Sequence, residues 1–153
     1  MNNSTHHLLL TCSVIIGMLI SLGYRGVFHK AISIGLGISI LVVWLDNTIL
    51  STISFYSLFV WGILTVIYGL NEKELTPAEK VGIVSMGLMI LLSTTFKFQH
   101  WPGSNFVHLL FILPIAANIF ALLRQKNRLR KEISFMLTWM VYGILEVLHI
   151  WTV

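Results

Sequence analysis

The chain has 153 residues, 56% hydrophobic and only 10% charged, with a mean hydropathy of +0.85. Too little polar surface exists to cover a soluble globule of this length, so lipid is expected as the solvent. A net charge of +4 would suit nucleic acid, but the cations stand at the ends of apolar runs rather than along one stripe. The expected partner is therefore the lipid bilayer and not a nucleic acid.

Residues 1–7 contain no Lys or Arg, and no small-residue cleavage pattern closes the run that follows. A first span over about residues 7–24, ending at Arg25, is predicted in place of a cleaved signal. It holds Cys12, the single cysteine, so no intrachain disulfide can form. A second span over about 31–45 is interrupted by Asp46-Asn47, and a third follows over about 49–70. After a polar turn, Thr76 and Glu79 have the spacing of a capping box with Pro77 at the first helical position. The fourth span, about 77–100, should therefore begin sharply at Pro77. A fifth is predicted over about 105–123, a basic run over 124–132, and a last span over about 133–151. The expected fold is all-α: a polytopic transmembrane helical bundle of six spans in one integral membrane domain covering residues 1–153.

The basic residues orient this arrangement. Arg25, Lys30, Lys73, Lys80, Arg124, Lys126, Arg128, Arg130 and Lys131 fall in the first, third and fifth loops, and Lys97 alone falls on the other side. The positive-inside rule then puts both termini outside and the odd loops in the cytoplasm, in a multi-pass protein. Losing any one span would mix the charges between the two sides. A faint echo links Ile53-Ser54-Phe55 and Trp61-Gly62-Ile63-Leu64 with Ile133-Ser134-Phe135 and Tyr142-Gly143-Ile144-Leu145, as inverted three-helix halves would.

Small residues mark close helix contacts. Ser33 with Gly37, and Gly35 with Ser39, are small-xxx-small pairs on the second span, suited to packing within the chain or to a seam between copies. Trp44, Trp101, Trp139 and Trp151, with Tyr24 and Tyr142, are expected mostly near span ends, where amphipathic rings sit among headgroups.

The ionisable residues inside or beside the spans carry the chemistry. Lys97, His100, Asp46, Glu146 and His149, joined by His108, all fall in the outer half under this topology. Glu146 lies seven residues before Val153, about 10 Å into the last helix at about 1.5 Å per residue. A carboxylate at that depth must pair, protonate or meet water. Three readings follow: a structural pair of Lys97 with Glu146, a proton or ion relay through Glu146, Lys97 and His100, or a metal site drawing on His100, His108, His149 and Glu146. No two histidines have the H-x-x-x-H spacing of a helical zinc site, so no metal and no other cofactor is expected. Nucleophile elbow, phosphate-cradling glycine loop, paired-cysteine motif and haem signature are all missing from the sequence, so a non-enzymatic role is expected.

Between the fourth and fifth spans, Phe96-Lys97-Phe98-Gln99-His100-Trp101-Pro102-Gly103 reads as the tip of a transmembrane hairpin, with Trp101, Pro102 and Gly103 making the turn. This stretch resembles the membrane hairpin of GldL and PorL, inner-membrane motor subunits of gliding motility and type 9 secretion in Bacteroidota, and of small Bacteroidota membrane proteins with a similar signature. The resemblance covers about residues 81–123. It implies that the Lys and His stand at the periplasmic end, on the side assigned from the basic loops. The motor subunits carry a proton-coupling glutamate in the helix after the hairpin, whereas residues 114–120 here hold Asn118 and no carboxylate. Glu146 can substitute only if the last span packs against the hairpin. The resulting expectation is a membrane subunit or accessory protein that packs with partner helices or copies of itself. The alternative is a proton- or ion-coupled transporter or motor component using Glu146, Lys97 and His100.

Overall fold

A computed structural model describes residues 3–42, 48–99, 102, 104–124 and 131–150. Among the described residues every regular element is helical: α1 (Asn3–Leu22), α2 (Val27–Val42), α3 (Thr48–Asn71), α4 (Pro77–Phe98), α5 (Ser104–Leu110), α6 (Ile112–Arg124) and α7 (Ile133–Ile150). Four stretches are long and apolar enough to cross a membrane: Thr5–Leu22, Thr48–Asn71, Pro77–Phe98 and Asn105–Arg124. Val27–Val42 and Ile133–Leu148 are apolar but shorter. The chain is thus an all-α membrane-type protein. Large side chains such as Leu19, Val27, Phe106, Leu113 and Leu123 are exposed, as a lipid-facing surface requires.

Local chemistry sets the helix boundaries. The capping box at α4 is complete: the Thr76 amide donates to Glu79 Oε2 at 2.6 Å, and the Glu79 amide to Thr76 Oγ1 at 3.4 Å. With Pro77 at the first helical position, the start is fixed at the expected residue. α2 begins four residues earlier than the span expected from about residue 31. Gly26, at φ 144°, reverses the chain at once after α1, so the polar pair His29-Lys30 is taken into the first turn of α2.

The expected fifth span is present as Asn105–Arg124, and what the sequence reading did not include is a one-residue break in it between α5 and α6. Pro114 has no amide to offer the Leu110 carbonyl and its ring crowds that residue, so α5 stops at Leu110. Across the break the Phe111 amide bonds to the His108 carbonyl at 3.1 Å, and the Ile115 amide resumes the helical pattern on Phe111 at 3.1 Å. Trp139 is a correction. It was expected mostly with the headgroup anchors, yet it lies in the seventh position of α7, fully buried, edge-to-face with Tyr142 at 6.1 Å. The headgroup-anchor expectation for Trp44, Trp101 and Trp151 concerns positions outside the described residues.

Two compact units divide the chain: Met1–Trp61 with Leu129–Tyr142, and Gly62–Arg128 with Gly143–Val153. In the first, α2 is the centre. Gly35 receives the Trp61 ring so closely that an added Cβ would lie 1.9 Å from Cζ2, and Trp61 Nε1 donates to Ser39 Oγ at 3.0 Å. Ser54 Oγ donates to the Ser39 carbonyl, and Ser57 Oγ to Ser39 Oγ at 2.6 Å. Gly37 faces Met18 and Val14 of α1, while Ser33 Oγ donates to Ser134 Oγ of α7 at 2.8 Å. All four small residues singled out on the second span are thus engaged within the chain. In the second unit, α4 and α6 are clamped by Asn118, whose Nδ2 donates to the Gly82 carbonyl at 2.9 Å and to that of Pro114 at 2.7 Å.

Candidate functional site

The second unit assembles the ionisable cluster from three helices. Lys97 sits in the last turn of α4, where a cation complements the helix dipole. Glu146 follows Gly143 by one turn on α7, and His108 closes the last turn of α5. The break caused by Pro114 turns Phe111 inward, where it is fully buried. Gly143 meets it there: a Cβ on Gly143 would stand 2.8 Å from Phe111 Cδ1 and 3.3 Å from Ile115 Cδ1. A glycine at this point lets α7 approach the α5–α6 junction. One turn on, Glu146 is delivered between Lys97 and His108.

The geometry is compact. Lys97 Nζ donates to Glu146 Oε1 at 2.5 Å, and His108 Nε2 stands 3.4 Å from Glu146 Oε2. Side-chain exposure is 33% for Lys97, 11% for Glu146 and 5% for His108, so the carboxylate and imidazole are sequestered while the ammonium reaches outward. Each carboxylate oxygen faces a different partner. That arrangement holds a carboxylate in an apolar setting by a charge-assisted bond and leaves its second oxygen beside a titratable ring. The Glu79 carboxylate, by contrast, is bound to the amide of Thr76 in the capping box.

Of the residues singled out from the sequence, Lys97 and Glu146 are brought together. His100, Asp46, Trp101 and Gly103 lie outside the described residues, Pro102 occupies an exposed turn, and only the backbone of His149 is described, within α7. His108, the histidine that joined the cluster in the sequence, stands against the carboxylate. Its signal was modest: a histidine in an apolar run, whose distance of 38 positions from Glu146 in sequence hid the contact. Pro114 and Gly143 were the other legible marks, a helix breaker inside a span and a glycine one turn before a buried acid. Among the described residues no group of three or more His, Cys, Asp or Glu side chains is gathered as a metal site would need. The last helix reaches the hairpin helices through Glu146, which meets Lys97 of α4 and His108 of α5. Asn118 itself is buried and committed to the α4–α6 clamp.

Comparison of the chain with protein-family models, with curated proteins and with solved structures gives no match in any of the three.

Proposed function

We propose that the protein is a small multi-pass subunit or accessory protein of a bacterial inner membrane, with six spans and both termini outside. Its task is to pack with partner helices or with copies of itself. The observation that carries this reading is the Lys97–Glu146 pair. This ion pair fastens the last helix to the hairpin, which is the work of a scaffold. The sided distribution of basic residues supports the topology, and the hairpin signature supports a Bacteroidota inner membrane. Purification in a mild detergent tests it: co-elution of a membrane protein in fixed ratio, or a homo-oligomer, is expected, and a homogeneous monomer from native membranes contradicts it.

One observation favours a second reading. His108 Nε2 at 3.4 Å from Glu146 Oε2, with Lys97 on Oε1, puts three ionisable groups in contact, as proton coupling in a transporter or motor component requires. In this reading Glu146 exchanges the proton, Lys97 holds the carboxylate, and His108 joins His100 in the relay. Reconstituted vesicles decide between the two. Proton flux abolished by Glu146→Gln in a protein that still folds supports coupling, and unchanged background flux supports the scaffold.

A further inference from the structure

One more polar group marks the inner side of the Lys97–Glu146–His108 cluster, the Ser93 hydroxyl of α4. A serine or threonine inside a helix ordinarily bonds back to a carbonyl of the preceding turn. Ser85, Thr94 and Thr95 of the same helix do so, on Gly82, Ile90 and Leu91. Ser93 does not. It is 0% exposed, and its Oγ has no hydrogen-bond partner among the described residues. A buried hydroxyl in that state costs stability that a donor or acceptor would return.

Helix geometry gives the direction and depth of this group. At about 100° per residue, Ser93 comes round to within about 20° of Gly82 and about 40° of Lys97. Gly82 meets Asn118 of α6 and Lys97 meets Glu146 of α7, so Ser93 lies on the face turned to those helices. Gly87, which meets Val66 of α3, stands about 120° away. Ser93 is about 16 Å from the Gly82–Asn118 contact along α4, and His108 is about 15 Å from it along α6 and α5. Both paths lead to the same cluster, so the hydroxyl and the imidazole are level, one turn short of Lys97. An ionised carboxylate has about four lone-pair sites, and so accepts a further bond alongside Lys97 and His108. A water suits the place, since it needs a few polar partners and bonds to a carboxylate and a hydroxyl together.

We propose that the second unit binds one internal water between Ser93 Oγ and the Oε2 edge of Glu146, beside the His108 ring, with Ser93 as its inner anchor. The water donates to the carboxylate and accepts the serine proton, which gives Ser93 the partner its own helix does not supply. The water itself rests on the packing alone; its use in proton exchange rests on the coupling reading. In that use the protonated Glu146 carboxyl gives its proton to the water oxygen while the water gives one of its own to a neutral His108 ring, and the water is restored.

Thermal melting of the full chain in detergent and water-to-protein polarisation transfer in lipid vesicles test the site. A dry, unpartnered hydroxyl is better removed, so in its case Ser93→Ala would leave the melting temperature unchanged or raise it. With the water bound, Ser93→Ala should lower it by about 3 °C. In a Glu146→Leu background the same change should cost clearly less, because both variants act on one water. Ser85→Ala, whose hydroxyl bonds to its own helix, should cost the same in both backgrounds. In protein isotopically labelled at serine, transfer from water should reach a signal that Ser93→Ala deletes. A melting temperature unchanged or raised in Ser93→Ala, strict additivity with Glu146→Leu, or no transfer from water to the Ser93 signal overturns the site. Proton flux in vesicles judges the coupling reading separately. A flux slowed about tenfold by Ser93→Ala supports the step through His108, and no flux from the unaltered protein removes that step, while the three results above decide the water either way.

Discussion

Glu146 is the residue on which the second unit turns, and its two partners differ in what they leave behind when removed. Without Lys97, a carboxylate only 11% exposed loses its charge-assisted bond and is left beside the His108 ring. Without the carboxylate, Lys97 is 33% exposed and can carry its ammonium out to the headgroups. Lys97→Met should therefore cost more stability than Glu146→Gln, about 2–3 against about 1 kcal/mol, since an unpaired buried charge is worse than an absent pair. The double variant should recover part of the loss, and thermal melting of the four proteins in one detergent gives the coupling. Strict additivity would remove the direct pair. Gly143→Leu should reproduce much of the Lys97→Met effect by pushing α7 off Phe111. At this scale the sequence was partly legible. Lys97 and Glu146 stood out as charges in apolar surroundings, where few arrangements other than pairing are stable. His108 was named with the cluster, but its contact with Glu146 was not legible, because that depends on the approach of a helix 38 positions away.

Helix ends followed local rules more faithfully than helix middles. The Thr76–Glu79 box and Pro77 act within one turn, and all three groups sit where their spacing placed them. Thr76→Ala should cost about 1 kcal/mol, read as a lower melting temperature, because the Glu79 amide loses its acceptor. The break at Phe111 was also written in the chain, in Pro114, but hydropathy runs unbroken through it and masks it. Pro114→Ala restores an amide for the Leu110 carbonyl and should straighten α5 and α6 into one helix. The distance between spin labels at Asn105 and Leu123 should then lengthen towards about 27 Å, the length of eighteen helical residues. An unchanged distance would assign the break to packing of Phe111 and not to proline. Trp139 shows the limit of reading aromatics by position. Its ring is drawn into the first unit, where burying its apolar area outweighs anchoring at an interface. Gly35 shows the opposite case. The small-residue spacing announced a close approach, and only the fold could say that the Trp61 indole makes it.

For the molecule as a whole, composition determined the class and charge placement the proposed orientation. Four helices reach spanning length, and the two shorter apolar helices, α2 and α7, each bring buried polar groups into their unit. Shorter helices with polar ends are accommodated when their neighbours supply the partners, as Ser134 does for Ser33 and Lys97 for Glu146. The scaffold and relay readings both place the Lys97–Glu146 cluster on the outer side of a six-span chain, so sidedness is the central claim. Impermeant thiol labelling of single cysteines in intact cells, in a Cys12→Ser background, tests it most directly. Cysteines at Asn3 and Trp101 are predicted to be labelled and those at Lys73 and Arg128 protected. Labelling of Lys73 and Arg128 with protection of Trp101 would invert the orientation, and opposite results for the two termini would remove a span.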